Sequence, residues 1–362
     1  MEKNYSESRN YFRELSFKNY KNFEKKQGWY FVDKDIETTV DYMFLHNKRS
    51  QKLHILISGT HGVEGYAGSA LQFQTLQNLL DKCETASEQT TSYLLIHSLN
   101  PYGYKNNRRF TKNNVDLNRN YLQANEFNDT SYPEEIFTLI STFLYSFQFI
   151  FLFFCTLFKF GYTKSREYIV KGQYSYKSGL FYGGKKREQN IDVLEKILSI
   201  VDYNYFTDIY IFDIHTGLGA YGNLSVMVTQ HETFQTFKDV PLNSTTNMVN
   251  MCSDNMYKES KGSIIDGVHN YIVGKNIKID SKHSKERSSK PNIYPIILEY
   301  GTYSNLQIFA RLLLENYYYS ITNNNSKWAN ESIKLKSMFY IEKEDWKNLV
   351  VKNYTDFIKL LK

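Results

Sequence analysis

The sequence predicts an α/β protein built on a central mixed, mostly parallel sheet with helices flanking both faces. Three observations predict it: continuous apolar runs of strand length recur along the chain, stretches of helical spacing separate them, and polar or glycine-bearing turns end them. Strands covered on both faces read as unbroken apolar runs, and helices on either side of a parallel sheet are what cover them.

Taken in order, Leu53–Ser58 (LHILIS) reads as the first buried strand, followed by a glycine-containing turn and a helix over Ala67–Leu80. Ser92–Ser98 (SYLLIHS) is the next strand, stopped by Asn100-Pro101. Ile191–Val201 has helical spacing, and Asp208–Ile214 (DIYIFDI) is a third apolar strand that runs into His215. Ser225–Thr229 and Ile293–Tyr300 (IYPIILEY) complete the clear strands, with a helix over Leu306–Tyr319 behind the last. Lys275–Asn292 is polar, rich in Lys and Ser, and reads as a loop or insertion with no domain boundary. No internal repeat is visible, so residues 1–362 are expected to form a single domain.

Composition bounds the function. At 362 residues with 41% hydrophobic and 23% charged, the chain has enough apolar side chains to bury a core and too many to be disordered. Forty-four Lys and Arg against 38 Asp and Glu leave +6, spread along the chain without a basic face, which excludes a nucleic-acid footprint. Cys83, Cys155 and Cys252 are far apart and form no C-x-x-C pair, so isolated reduced thiols are expected. The opening MEKNYSESRNYFRELSF lacks the apolar stretch of a signal peptide; with the cysteine pattern this leads to the expectation of a cytoplasmic protein.

One segment stands apart. Residues 136–158 (IFTLISTFLYSFQFIFLFFCTLF) carry no charge over 23 positions, which meets the length criterion for a membrane span. A single crossing there would put the two halves of the candidate site described next on opposite sides of a bilayer. An apolar, aromatic helical segment packed on the domain is therefore expected, with contact at a membrane surface as the other reading.

Ligand sites of open α/β sheets lie beyond the carboxyl ends of the strands. After the first buried strand stands Ser58-Gly59-Thr60-His61-Gly62-Val63-Glu64-Gly65, an imidazole and a carboxylate three apart in a glycine-rich turn. Neutral imidazole nitrogen and carboxylate oxygen are the ligands of a catalytic zinc that keeps one position open. The same spacing at His283 and Glu286 lies in a charged Ser/Lys run, where a solvated loop explains it. His215, ending the DIYIF strand, is the candidate third ligand, and Asp213 two residues earlier points to the same side, where it could orient an imidazole. Glu299 closes a nearly uncharged strand; beside a metal such a group can take a proton from water and pass it to a leaving nitrogen. Asn107-Arg108-Arg109-Phe110 and Asp116-Leu117-Asn118-Arg119-Asn120 cluster guanidinium and amide groups past the Asn100-Pro101 strand end. One arginine of such a set can anchor a substrate carboxylate and another can stabilise an oxyanion.

These pieces resemble the zinc carboxypeptidases, and within them a bacterial and eukaryotic branch named as a domain of unknown function. The resemblance is carried by SGTHGVEGYAGSA (58–70), LNPYGYKNNRRF (99–110), NVDLNRNY (114–121), GLFYGG (179–184), DIHTGLGAYG (213–222) and LEYGT (298–302), with the opening YSESRNYF. It covers nearly the whole chain. Aspartoacylase and succinylglutamate desuccinylase share H-x-x-E and D-x-N-R, so the motifs specify the superfamily more firmly than the substrate. The resemblance implies one Zn²⁺ per chain on His61, Glu64 and His215, with Glu299 as catalytic base. It implies a substrate carboxylate held by Asn118 and Arg119, and an oxyanion facing Arg109, with the neighbouring Arg108 as the other candidate. Tyrosines are too numerous to single out a counterpart of the mobile capping tyrosine of the digestive enzymes, and 136–158 departs from the branch. The expected activity is hydrolysis of an amide beside a free carboxylate, by a metallocarboxypeptidase acting on peptides. The alternatives are an N-acyl-amino-acid deacylase and a non-catalytic binding protein of the same fold. The oligomeric state is left open.

Overall fold

A computed structural model describes residues 4–81, 91–127, 136, 139, 142, 146–253, 261–275, 290–322 and 324–361. His283, Glu286, Cys83, most of the Lys275–Asn292 stretch and positions 137, 138, 140, 141 and 143–145 lie outside the described residues.

Among the described residues eight strands form one sheet: β1 (Glu24–Asp33), β2 (Thr38–His46), β3 (Lys52–Ser58), β4 (Thr91–His97), β5 (Asp208–Gly217), β6 (Leu224–Val228), β7 (Thr246–Asn250) and β8 (Asn292–Gly301), in the order β1-β2-β4-β3-β5-β8-β6-β7. The central four, β4-β3-β5-β8, are mutually parallel, whereas β2 pairs antiparallel with β4 and β6 antiparallel with β8. The sheet is therefore mixed with a parallel centre, as expected. The helices are α1 (Tyr5–Phe17), α2 (Gly65–Asp81), α3 (Pro101–Lys105), α4 (Phe147–Lys171), α5 (Gln189–Leu198), α6 (His231–Phe237), α7 (Ile264–Gly274), α8 (Asn305–Asn316), α9 (Asn325–Phe339) and α10 (Glu344–Leu360).

The continuous apolar character of β3 follows from this arrangement. Leu53, Ile55 and Ile57 face one side, where they pack with Leu194 and Ile197 of α5 and Ile265 and Val268 of α7. Leu56 faces the other, in a cluster with Leu71 of α2 and Trp346, Val350 and Phe357 of α10. Successive side chains of a strand alternate faces, so a strand covered twice has no polar phase. The N-terminal hairpin β1–β2, with its half-exposed outer strand, was not read from the sequence because β1 carries Lys, Gln and Gly at its start.

The aromatic segment differs from its expected bounds. α4 starts at Phe147, where Ser146 accepts the Phe149 N–H at 3.0 Å, and continues to Lys171, past a break at Gly161 (φ 72°). Phe149, Phe153 and Ile169 pack inward with Ile308, Leu312 and Phe339. Phe147, Ile150, Phe151, Phe154 and Phe158 form an exposed stripe at helical spacing. No helix among the described residues is long and apolar enough to cross a membrane.

Candidate metal centre

The carboxyl ends of β3, β5 and β8 converge. Past β3 the chain must turn sharply: Gly59 has φ +64°, and a Cβ there would meet the Ser98 Oγ at 2.2 Å. At Gly62 a Cβ would stand 2.2 Å from the Gly103 backbone, so only glycine lets this loop seat against the start of α3. The loop is tied down by Gly62 N–H to the Arg109 carbonyl at 3.2 Å and Val63 N–H to the Arg108 carbonyl at 2.7 Å. These contacts bring His61 and Glu64, buried, against His215 at the end of β5.

Three donor atoms meet there. His61 Nδ1 lies 2.9 Å from Glu64 Oε1, His215 Nδ1 lies 2.8 Å from Glu64 Oε2, and the two Nδ1 atoms are 3.1 Å apart. A tetrahedron of ~2.0–2.1 Å metal bonds has edges of about 3.4 Å, a few tenths of an ångström longer than these. Among the described residues this is the group of side chains that could hold a metal ion. Each imidazole also has a carboxylate at its far nitrogen: Asp116 Oδ1 is 3.3 Å from His61 Nε2, and Asp213 Oδ2 is 2.8 Å from His215 Nε2. A carboxylate at Nε2 favours the tautomer with its proton there and turns the Nδ1 lone pair toward the centre, as metal-ligating histidines require. Asp213 is itself positioned by Thr60, whose hydroxyl donates to Oδ1 at 2.7 Å. The donor set and its supporting carboxylates thus fit a divalent cation.

Arg109 also reaches this group. Its Nε donates to Asp116 Oδ2 at 3.0 Å, its Nη1 is 3.5 Å from Glu64 Oε1, and its Nη2 touches His61 Nε2 at 2.6 Å. Asp116 and Arg109 thus compete for the same imidazole nitrogen. The electrostatics follow from these contacts. Burial alone would raise the Glu64 carboxyl, but the two imidazoles outweigh it and hold it below the ordinary carboxylate range. For Asp116 burial is likewise overcome, by Arg109 and His61, and the group sits well below that range. Burial would lower His215, yet Asp213 and Glu64 hold it well above the usual histidine value. Glu299 goes the other way: burial, helped by the Glu64 charge, pushes it up to about 8, against His215, the Leu218 N–H and Arg109. That N–H donates to Glu299 Oε1 at 2.8 Å.

A cavity of about 790 Å³ opens onto the cluster and is lined by His61, Glu64, His215, Glu299, Arg109, Asn118 and Arg119. Seven of the eight residues expected to bind the metal, carry the proton or hold the substrate therefore share one space. Asn118 Oδ1 accepts the Ile264 N–H at 2.9 Å, and Arg119 spans the Asn118 carbonyl at 2.6 Å and the Val170 carbonyl at 2.5 Å.

Arg108 is the correction. It does not line the cavity but is fully buried, paired with Glu315 (Nε–Oε1 2.5 Å), bonded to Asn114 at 2.8 Å and stacked 3.3 Å from the Tyr319 ring centroid. Adjacent residues here point in opposite directions, and the partner that claims Arg108 is 207 positions away, beyond the reach of motif reading. Asp116 was the missed residue: it stands in the D-x-N-R motif, but nothing in the linear sequence shows that it supports both His61 and Arg109.

The model of the family described as "Protein of unknown function (DUF2817)" matches residues 2–353. No curated protein matches the chain. Among solved structures the chain is similar to carboxypeptidase A from Helicoverpa armigera (14% identity, 92% of this chain and 72% of that one, TM-score 0.48). It is also similar to bovine thrombin-activatable fibrinolysis inhibitor in complex with tick carboxypeptidase inhibitor (11%, 98% and 98%, 0.48). A third likeness is to a metallo-carboxypeptidase from Pseudomonas aeruginosa (10%, 98% and 68%, 0.40).

Proposed function

The chain belongs to the DUF2817 family, and we propose that it is a zinc-dependent hydrolase cleaving an amide bond next to a free carboxylate, the reaction of a metallocarboxypeptidase. The single observation that carries this reading is the convergence of His61 Nδ1, Glu64 and His215 Nδ1 within 3.1 Å of one another, beside Glu299 and Arg109 in one cavity. Two imidazoles and one carboxylate suit zinc better than hard cations, which take more oxygen ligands.

Zinc bound there would lower the pKa of water and polarise a carbonyl. Glu299, raised to about 8 by burial and by Glu64, is suited to accept a proton from the attacking water and return it to the departing nitrogen. Water adds to the carbonyl carbon, the C–N bond breaks, and a carboxylate and an amine leave. Arg109 offers its guanidinium to the developing oxyanion while Asp116 holds its Nε in place. Arg119 and Asn118 anchor the substrate carboxylate and so set which amide is presented. Deacylation of an N-acyl amino acid uses the same bond chemistry, and the breadth of apolar wall around the cavity favours it as the second reading.

Elemental analysis of the purified chain beside His215→Ala, followed by a peptide and acyl-amino-acid panel, tests the proposal. About one zinc per chain, absent from the variant, with hydrolysis by the wild type is the expected result. A folded wild type that takes up no metal when zinc is offered overturns it.

A further inference from the structure

The cavity is larger than the chemistry needs, and its walls divide by element. At about 790 Å³ it lies in the upper part of the ~300–1,000 Å³ range of small-molecule sites. On one side are Arg119 and Asn118 with a polar floor in which Asp266 takes the Thr229 hydroxyl at 2.7 Å and the Ser263 hydroxyl at 2.7 Å. On another, Phe153 and Ile169 of α4, Phe309 and Leu312 of α8 and Phe339 of α9 belong to one hydrophobic cluster and present a mainly apolar wall to the cavity, interrupted by Tyr162 and Ser165 of α4 and Asn305 of α8. Polar groups on that wall would serve a peptide backbone, whose N–H and C=O groups must be satisfied wherever they are buried. None of these five side chains can do so. They match a hydrocarbon, whose removal from water is favourable in proportion to its area.

We propose that the acyl side of the scissile amide is a long hydrocarbon chain, so that the substrate is an N-long-chain-acyl amino acid. Its carboxylate sits at Arg119 and Asn118, its amide at the metal cluster and Glu299, and its chain along the α4, α8 and α9 wall. This rests on the amide-hydrolase reading above, in its deacylase form. Water supplies the oxygen of the new fatty carboxylate, the C–N bond breaks, and the proton Glu299 takes from that water goes to the amine of the released amino acid.

The test compares kcat/KM for the N-acetyl, N-octanoyl and N-dodecanoyl derivatives of one amino acid with that for a tripeptide ending in it. Calorimetric binding of all three acyl compounds to zinc-loaded Glu299→Gln is measured in parallel. The proposal expects kcat/KM to rise at least 100-fold from acetyl to dodecanoyl and binding to tighten along the series. It also expects the dodecanoyl-to-acetyl ratio to fall at least 10-fold in Leu157→Trp and in Leu312→Gln, both at cavity-lining positions, with folding checked by circular dichroism. Turnover of the acetyl compound or the tripeptide with no dependence on chain length overturns the chain proposal and leaves the hydrolase reading standing. Length-dependent binding without turnover of any substrate supports the chain site and overturns the hydrolase reading. Neither binding nor turnover by a folded, zinc-loaded chain overturns both.

Discussion

His215 and Glu299 are register partners on the adjacent parallel strands β5 and β8, two rungs before the pairing ends at Gly217 and Gly301. Side chains paired across neighbouring strands lie on the same face of the sheet. The proposed metal ligand and proton carrier are thus held by backbone pairing, and the preceding pairs Phe212–Ile296 and Ile214–Leu298 are packed in the core. Glu299→Gln keeps the shape and removes the proton-accepting oxygen. It should retain metal to within a few per cent of wild type while kcat falls by roughly 10²–10⁴, as metal analysis and steady-state kinetics on one preparation will show.

Glu299 also sets a pH dependence. Its carboxyl is raised to about 8, so the base form is populated only as pH rises, and the acidic limb of kcat/KM should have its midpoint above the ordinary Glu value of ~4.3. A bound dication beside it draws that midpoint below 8. A profile from pH 4.5 to 9 checks this; a limb centred near 4 would contradict the assignment.

Asp213 stands behind His215 at 2.8 Å and is held by Thr60. Loss of such a supporting carboxylate typically costs about 10–100-fold in metal affinity. Asp213→Ala should shift zinc binding by that amount, measured by competition with a chelator, whereas His215→Ala should abolish stoichiometric binding.

Arg108 and Arg109 should separate in their effects. Arg108 and Glu315 are both fully buried, and removing one partner of such a pair costs about 3–5 kcal/mol. Arg108→Ala should therefore lower unfolding stability by that much in a denaturant titration. Arg109 is part-exposed at the cavity, and Arg109→Gln should instead lower kcat by roughly 10²–10³ if it faces the oxyanion.

The core carries its own acid sensitivity. Burial holds both His54 and His97 down to about 3, well under the ordinary histidine value of 6.5. His54 lies among the edges of the Tyr93, Tyr210 and Phe212 rings. Because the folded pKa values are depressed, the unfolded chain binds more protons between 6.5 and 3, so stability is complete above 6.5 and is lost as pH falls through that window. Each residue should cost about 2 kcal/mol between pH 6.5 and about pH 5. His54→Phe should make thermal stability less steep over that range, as melting curves at stepped pH will show.

The central strands and the metal-site candidates were legible because each is a local signal. A strand buried on both faces must be an apolar run, so LHILIS, DIYIFDI and IYPIILEY announce β3, β5 and β8, and the polar residues at or just past the end of each stand at the sheet's carboxyl end, where His61, His215 and Glu299 are found. The outer strand β1 and the closing helices α9 and α10 were not, since half-exposed elements mix polar and apolar residues and their identity depends on what covers them.

The sequence by itself therefore determined the central strands of the sheet, the order of the motifs and the residue types able to bind a metal, because strand burial and turn glycines are properties of short segments. Only the tertiary structure decided which of two adjacent arginines enters the cavity, that Asp116 supports His61, and that α4 places one face on the cavity and an aromatic stripe outside. The direction of a side chain depends on partners such as Glu315, more than two hundred residues away, and no local pattern records that pairing.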